Sequence, residues 1–383
     1  MLVGLAVAAL AAVCTSCSAT DLARAYPGIG GGYRYARELL GRWPGRMAGG
    51  VSLLARMAGI AAVAGCFGAY VTPQRPVLGA LAALGLAVLA EIASVRLPAL
   101  VSRGLLVVVL VTLAVVVAAC FGVPAPHQVS GLLPAGLPGA DNPVELIPAA
   151  GLLFFGFLGA DGGQNRFRPR TKLVVPVVIL IALGTYLAVG TALLRVLGPT
   201  RLALSPDPLR DALASANAST LDPILTAGVA AATLGVVFAL VGGARQTAQS
   251  MADAGDLPAA FGTGGFDRTL AGALLIGAGG AVAVLSLAPV AAIQLAATCG
   301  LFAAAFTNAA ARLLERHERN WPARTACFGL GLTVLLVIAM PPVALALAVL
   351  ALGVGAAIGP LVALTRRKPV VERPKHARGA LKI

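Results

Sequence analysis

With 383 residues, 58% of them hydrophobic and 11% charged, the chain is far more apolar than a soluble domain, where about 45–50% apolar and about 25% charged residues are usual. A net charge of +14 does not point to nucleic acid, because the basic residues lie in short connections between apolar runs and not along one polar helix face. Six cysteines, Cys14, Cys17, Cys66, Cys120, Cys299 and Cys327, are scattered through apolar runs without a CxxC pair, which gives neither a disulfide framework nor a zinc site. No cofactor or metal is implied.

A crossing needs about 20 apolar residues, and this length divides the chain into about eleven candidate spans. The first, Leu2 to Ala23, has no Lys or Arg before its apolar core, so it reads as a mature helix and not as a secretory signal. Met47 to Val71, Val77 to Val95 and Gly104 to Gly122 follow. A Pro- and Gly-rich connection, Val123 to Leu146, carries Asp141 and Glu145 but no Lys or Arg. Next come Ile147 to Gln164, Leu173 to Leu197, a more helical connection from Gly198 to Asp222, and then Ile224 to Val241, Leu270 to Leu287 and Val290 to Leu313. The last two spans are Cys327 to Met340, short unless it begins near Ala323, and Val343 to Leu364. The fold class is an all-α polytopic membrane protein. Residues 365–383 form a basic tail, expected to be disordered at the anionic inner leaflet.

All but five of the 29 basic residues sit in alternate connections or in the tail, the exceptions being Arg56, Arg75, Arg195, Arg201 and Arg210. The positive-inside rule puts those connections and the C-terminus in the cytoplasm, in a multi-pass protein of the cell membrane. Met1 then falls on the outer side, and a preceding helix would restore a cytoplasmic start.

One span is badly built for a straight helix. In Gly151 to Arg170, GLLFFGFLGADGGQNRFRPR, five glycines each weaken helix by roughly 1 kcal/mol relative to alanine, and Asp161 puts a carboxylate where lipid tolerates none. Unwound backbone at this depth is allowed where it lines a cavity and holds a ligand or ion. A flexible helix end leading into the loop of Arg166, Arg168 and Arg170 is the simpler alternative.

Three stretches carry a family likeness. Asp21-Leu-Ala-Arg-Ala-Tyr-Pro-Gly-Ile-Gly-Gly-Gly-Tyr-Arg-Tyr-Ala-Arg-Glu-Leu-Leu-Gly41 closely resembles the segment after the second transmembrane helix of the amino acid–polyamine–organocation (APC) permeases. A dinucleotide-binding reading of its glycines fails for want of a βαβ unit. Phe154-Phe-Gly-Phe-Leu-Gly-Ala-Asp161 resembles the family's sixth helix, and Gly243-Ala-Arg-Gln-Thr-Ala-Gln-Ser-Met-Ala-Asp-Ala-Gly-Asp-Leu-Pro258 is similar to the end of the eighth. The resemblance runs from Leu2 to about Leu364 and covers helices two to twelve of the family's twelve, with no counterpart to the first helix.

What the resemblance implies is an inverted five-helix-repeat transporter fold in one transmembrane domain, 1–364. An incomplete first repeat occupies 2–122, a second repeat 147–314, and two C-terminal helices 323–364. The first helix of each repeat is expected to be unwound at its middle, where half-helix dipoles hold the amino and carboxyl groups of a substrate. Phe155 stands where relatives carry an aromatic gate, with a packing role as the alternative. Gly156, Phe157, Leu158 and Gly159 are the expected unwound residues, contributing backbone contacts. Asp161 matches an acidic position that organises the broken helix or takes part in proton coupling; pairing with Arg166 is its alternative.

Arg56 lies about ten residues into its span, roughly 15 Å at helical rise and near mid-bilayer, so a cavity or ion-pair role is expected. Glu91 is expected to pair at the interface with Arg96. The span Gly104 to Gly122 has no charged residue, so the lysine that some family members place in the fifth helix is absent there. His127, His317 and His376 lie in connections or the tail.

The reading that follows is secondary active transport of amino acids or related amines by alternating access, with proton coupling open. Its partners are a small-molecule substrate and membrane lipid. A non-transporting remnant or membrane interaction protein of the same fold is the alternative. A membrane enzyme has no HExxH or GxSxG motif to rest on.

Overall fold

The computed structural model describes residues 2–93, 99–122, 143–157, 174–205 and 207–365. Described residues outside turns are helical and none lies in a strand, as expected where lipid leaves backbone N–H and C=O groups no partners outside their own segment. The helices are α1 (Leu2–Ala25), α2 (Gly31–Leu39), α3 (Arg42–Val71), α4 (Pro76–Ile92), α5 (Ala99–Gly122), α6 (Pro143–Leu153), α7 (Val174–Leu204), α8 (Pro208–Ser215), α9 (Asp222–Asp253), α10 (Gly265–Ser286), α11 (Pro289–Ala311), α12 (Ala323–Ile338) and α13 (Pro342–Thr365). Among the described residues eight are long and apolar enough to cross a membrane, namely α1, α3, α5, α7, α9, α10, α11 and α13. The shorter apolar helices α4, α6 and α12 account for the other candidate spans.

Boundaries follow local chemistry. Proline opens α4, α8, α9 and α11 at a position where its missing N–H costs no hydrogen bond. Helix α12 does begin at Ala323, which gives it 16 residues. Helix α6 begins at Pro143, so the end of the expected external connection is helical. Helix α7 runs on to Leu204, but Gly198 breaks its regular geometry with φ 71°, a value glycine adopts freely, and Pro199 follows.

Helix α3 is the axis of the structure, packed against α2, α4, α9, α10, α11 and α13. Small residues let it come close to its neighbours. A Cβ on Gly50 would lie 2.8 Å from the Ala351 carbonyl oxygen, and one on Gly355 would lie 2.7 Å from the Arg46 carbonyl oxygen, so α3 and α13 touch backbone to backbone. Ile60, Val237, Val241, Leu84 and Ile276 fill the space between α3, α4, α9 and α10. Leu5, Ala8, Ala150, Leu301 and Leu336 bind α1, α6, α11 and α12 together. Outward-facing apolar side chains such as Leu106 and Val107 on α5, Leu180 and Ile181 on α7 and Leu350 on α13 make the lipid-facing surface.

At the end of the molecule opposite the basic connections, α8 docks on α3 through Tyr70. The Tyr70 hydroxyl accepts the Leu209 N–H at 3.3 Å, Arg210 donates to the Tyr70 carbonyl at 3.1 Å, and Arg210 pairs with Asp222 at 2.8 Å. All six cysteines are free thiols.

Candidate functional site

Helix α6 stops being α-helical at Phe154, and Phe154–Phe157 form a 3₁₀ turn inside an apolar segment. Tyr186 on α7 braces this turn: its hydroxyl donates to the Gly156 carbonyl oxygen at 2.7 Å, and its ring meets the Phe157 ring edge-on, with centroids 5.4 Å apart and planes at 84°. Phe154 and Phe157 are buried among the apolar side chains of α1, α6, α11 and α12. Phe155 is half-buried; it packs against that same cluster and also against the clusters that hold Ala58 and Ala62 of α3 and Ala292 and Leu295 of α11. A Cβ on Gly59 would lie 4.0 Å from the Phe155 ring and 3.3 Å from Leu240 of α9, so the absence of a side chain at Gly59 lets both pack closely on α3. Leu158, Gly159 and Asp161 lie outside the described residues.

One turn along α3 from Gly59, Arg56 faces Gly243 of α9, and a Cβ at Gly243 would overlap the guanidinium. The Arg56 Nε is buried without a hydrogen-bond partner, and Arg56 enters no ion pair among the described residues. Glu91 is nearby and committed elsewhere: it pairs with Arg245 of α9 at 3.3 Å. Its expected partner, Arg96, lies outside the described residues.

The sequence pattern of the family described as amino acid permease matches residues 1–370. The chain belongs to that family. Three relatives are each 36% identical over 266 residues, one from Mycobacterium bovis and two from strains of Mycobacterium tuberculosis, and each is described as an uncharacterized transporter. The aligned stretch is 67% of this chain and 59% of each relative, so the chain spans less than two thirds of the length of the curated relatives it matches.

The permease motifs that carried the likeness turn out to build the anchoring of the basic end. Asp256, 2% exposed in the turn after α9, accepts the Tyr33 hydroxyl at 2.6 Å and the Arg46 Nε at 2.8 Å, and also pairs with Arg37. Arg37 donates further to the Tyr33 hydroxyl oxygen at 2.8 Å and to the Ala254 carbonyl at 3.2 Å. Burial, reinforced by the Asp256 carboxylate accepting its proton, pushes the Tyr33 phenol well above its ordinary range. Tyr33 therefore remains a donor at physiological pH. Asp21, at the end of α1, accepts the backbone N–H groups of Asn320 and Trp321, both at 3.1 Å, and the Asn320 side-chain amide at 3.0 Å.

Sequence reasoning recognised these permease motifs without finding their partners, because Arg46, Asn320 and Trp321 stand far away in the chain. Tyr186 escaped it altogether. A single tyrosine in an apolar run was the available signal, since a hydroxyl at that depth requires an acceptor.

Proposed function

We propose that the chain moves amino acids or related amines across the cell membrane as a secondary active permease, working by alternating access with its C-terminus in the cytoplasm. The observation that supports this best is the change from α-helical to 3₁₀ geometry at Phe154–Phe157, where the Gly156 carbonyl accepts the Tyr186 hydroxyl. Irregular backbone at membrane depth serves as a docking site for solutes, because its free amides and carbonyls and the adjoining half-helix ends present partial charges. In this reading the segments 2–122 and 147–314 are the two inverted repeats, and the solute lies against Phe155. The backbone of Gly156, Phe157, Leu158 and Gly159 contributes contacts, while Asp161 organises the break or carries a coupling proton.

The test is counterflow in liposomes holding the purified full chain, with a panel of labelled amino acids and amines. Accumulation that falls at least tenfold in a folded Phe155→Ala variant supports the proposal. A folded wild-type chain that accumulates no member of the panel overturns it.

A further inference from the structure

Arg56 stands midway along the 30-residue α3, within an apolar segment. A guanidinium at such depth faces a cavity or a partner, since an uncompensated charge is unfavourable there. Among the described residues Arg56 has no anionic partner. The guanidinium lies close against the backbone of Gly243, where a Cβ would overlap it, and one turn away a Cβ on Gly59 would touch Leu240 and Phe155. The acid of this neighbourhood, Glu91, has an oxygen 3.4 Å from where a Cβ on Gly242 would lie and pairs with Arg245. Glu91 is thus committed to Arg245, and the buried Arg56 Nε has no hydrogen-bond partner.

Along the seam between α3 and α9 the order toward the basic end is Phe155 against Gly59, then Arg56 against Gly243. Three helical residues separate Gly59 from Arg56, about 4.5 Å of rise, or the length of a short aliphatic side chain. We propose that Arg56 receives a side-chain carboxylate of the substrate, so that the transported solutes are acidic amino acids, with their main-chain groups at the α6 break and their second carboxylate on the guanidinium. This rests on the transport reading above and narrows its substrate class. The planar fork of arginine matches a carboxylate with two parallel hydrogen bonds, whereas basic amino acids and polyamines would bring like charge to the same point.

The experiment uses the full chain in liposomes, with labelled glutamate and glutamine as probes. Wild type is expected to prefer glutamate at least tenfold. Arg56→Gln should raise the KM for glutamate tenfold or more while changing that for glutamine less than twofold, and Arg56→Lys, which keeps the charge and loses the fork, should fall between. A monodisperse Arg56→Gln protein that retains the preference overturns the inference, as does a wild type that prefers glutamine or a basic amino acid. If no amino acid is taken up, the transport reading fails and thermal stabilisation in detergent decides for Arg56. Glutamate stabilising wild type but not Arg56→Gln supports the site; an equal response, or none in either, overturns it.

Discussion

The Asp256 carboxylate receives the Arg46 Nε at 2.8 Å while its other oxygen accepts the Tyr33 hydroxyl, so one buried acid ties the turn after α9 to both α2 and α3. Asp256→Ala would leave two guanidinium groups facing each other with nothing between them. Removing one partner of a fully buried pair costs about 3–5 kcal/mol, and both arginines here keep some solvent contact, so a loss of about 2–3 kcal/mol is expected. Thermal melting in detergent measures it. The double variant Asp256→Ala with Arg46→Ala should lose less than the sum of the singles; strict additivity would show that the pair is uncoupled.

Tyr186→Phe removes the donor that satisfies the Gly156 carbonyl while leaving the ring contact with Phe157 in place. The expected cost is about 1 kcal/mol of stability, the ordinary size of one such hydrogen bond. Uptake should fall as well, because the freed carbonyl either recaptures the α-helical pattern or competes for the solute. Unchanged melting and unchanged uptake together would show that the hydroxyl has no part in holding the break.

Position 59 offers a graded test of space. Alanine there would need Leu240, 3.3 Å from the added Cβ, to yield by a few tenths of an ångström, so Gly59→Ala should retain most uptake. Gly59→Leu would overlap Leu240 and press on Phe155. It should cost about 1–3 kcal/mol through overpacking and reduce uptake at least tenfold in liposomes.

Cys66 is an exposed thiol on α3, whereas Cys14, Cys17, Cys120 and Cys299 are buried. In a Cys327→Ser background, a membrane-permeant maleimide should label a single site. Adding Cys66→Ser should abolish the label, which mass spectrometry of the intact protein reads directly. Persistent labelling would mean that one of the buried thiols opens to water.

Much of the architecture was legible because lipid imposes a simple code: apolar length marks the helices that can cross it. Boundaries such as the start of α12 at Ala323 followed from length alone. The end of α6 and the 3₁₀ turn fall within the glycine-rich stretch. Direction was not visible. Nothing in the string FFGF says that Phe155, alone of the three, also packs on the clusters of α3, because that depends on where neighbouring helices stand. The same holds for Glu91, which the packing of α4 on α9 brings to Arg245, a partner far away in the chain. Long-range ion pairs such as Asp256 with Arg46 leave no local trace at all.

The backbone contact between Gly50 and Gly355 has a mechanical corollary. Two helices that interlock without intervening side chains cannot slide past each other without first separating, so α3 and α13 should move as one piece or stay still together. A pair of spectroscopic labels, one on each of these helices, would hold a constant spacing through every stage of turnover and serve as an internal ruler for the displacements of the rest.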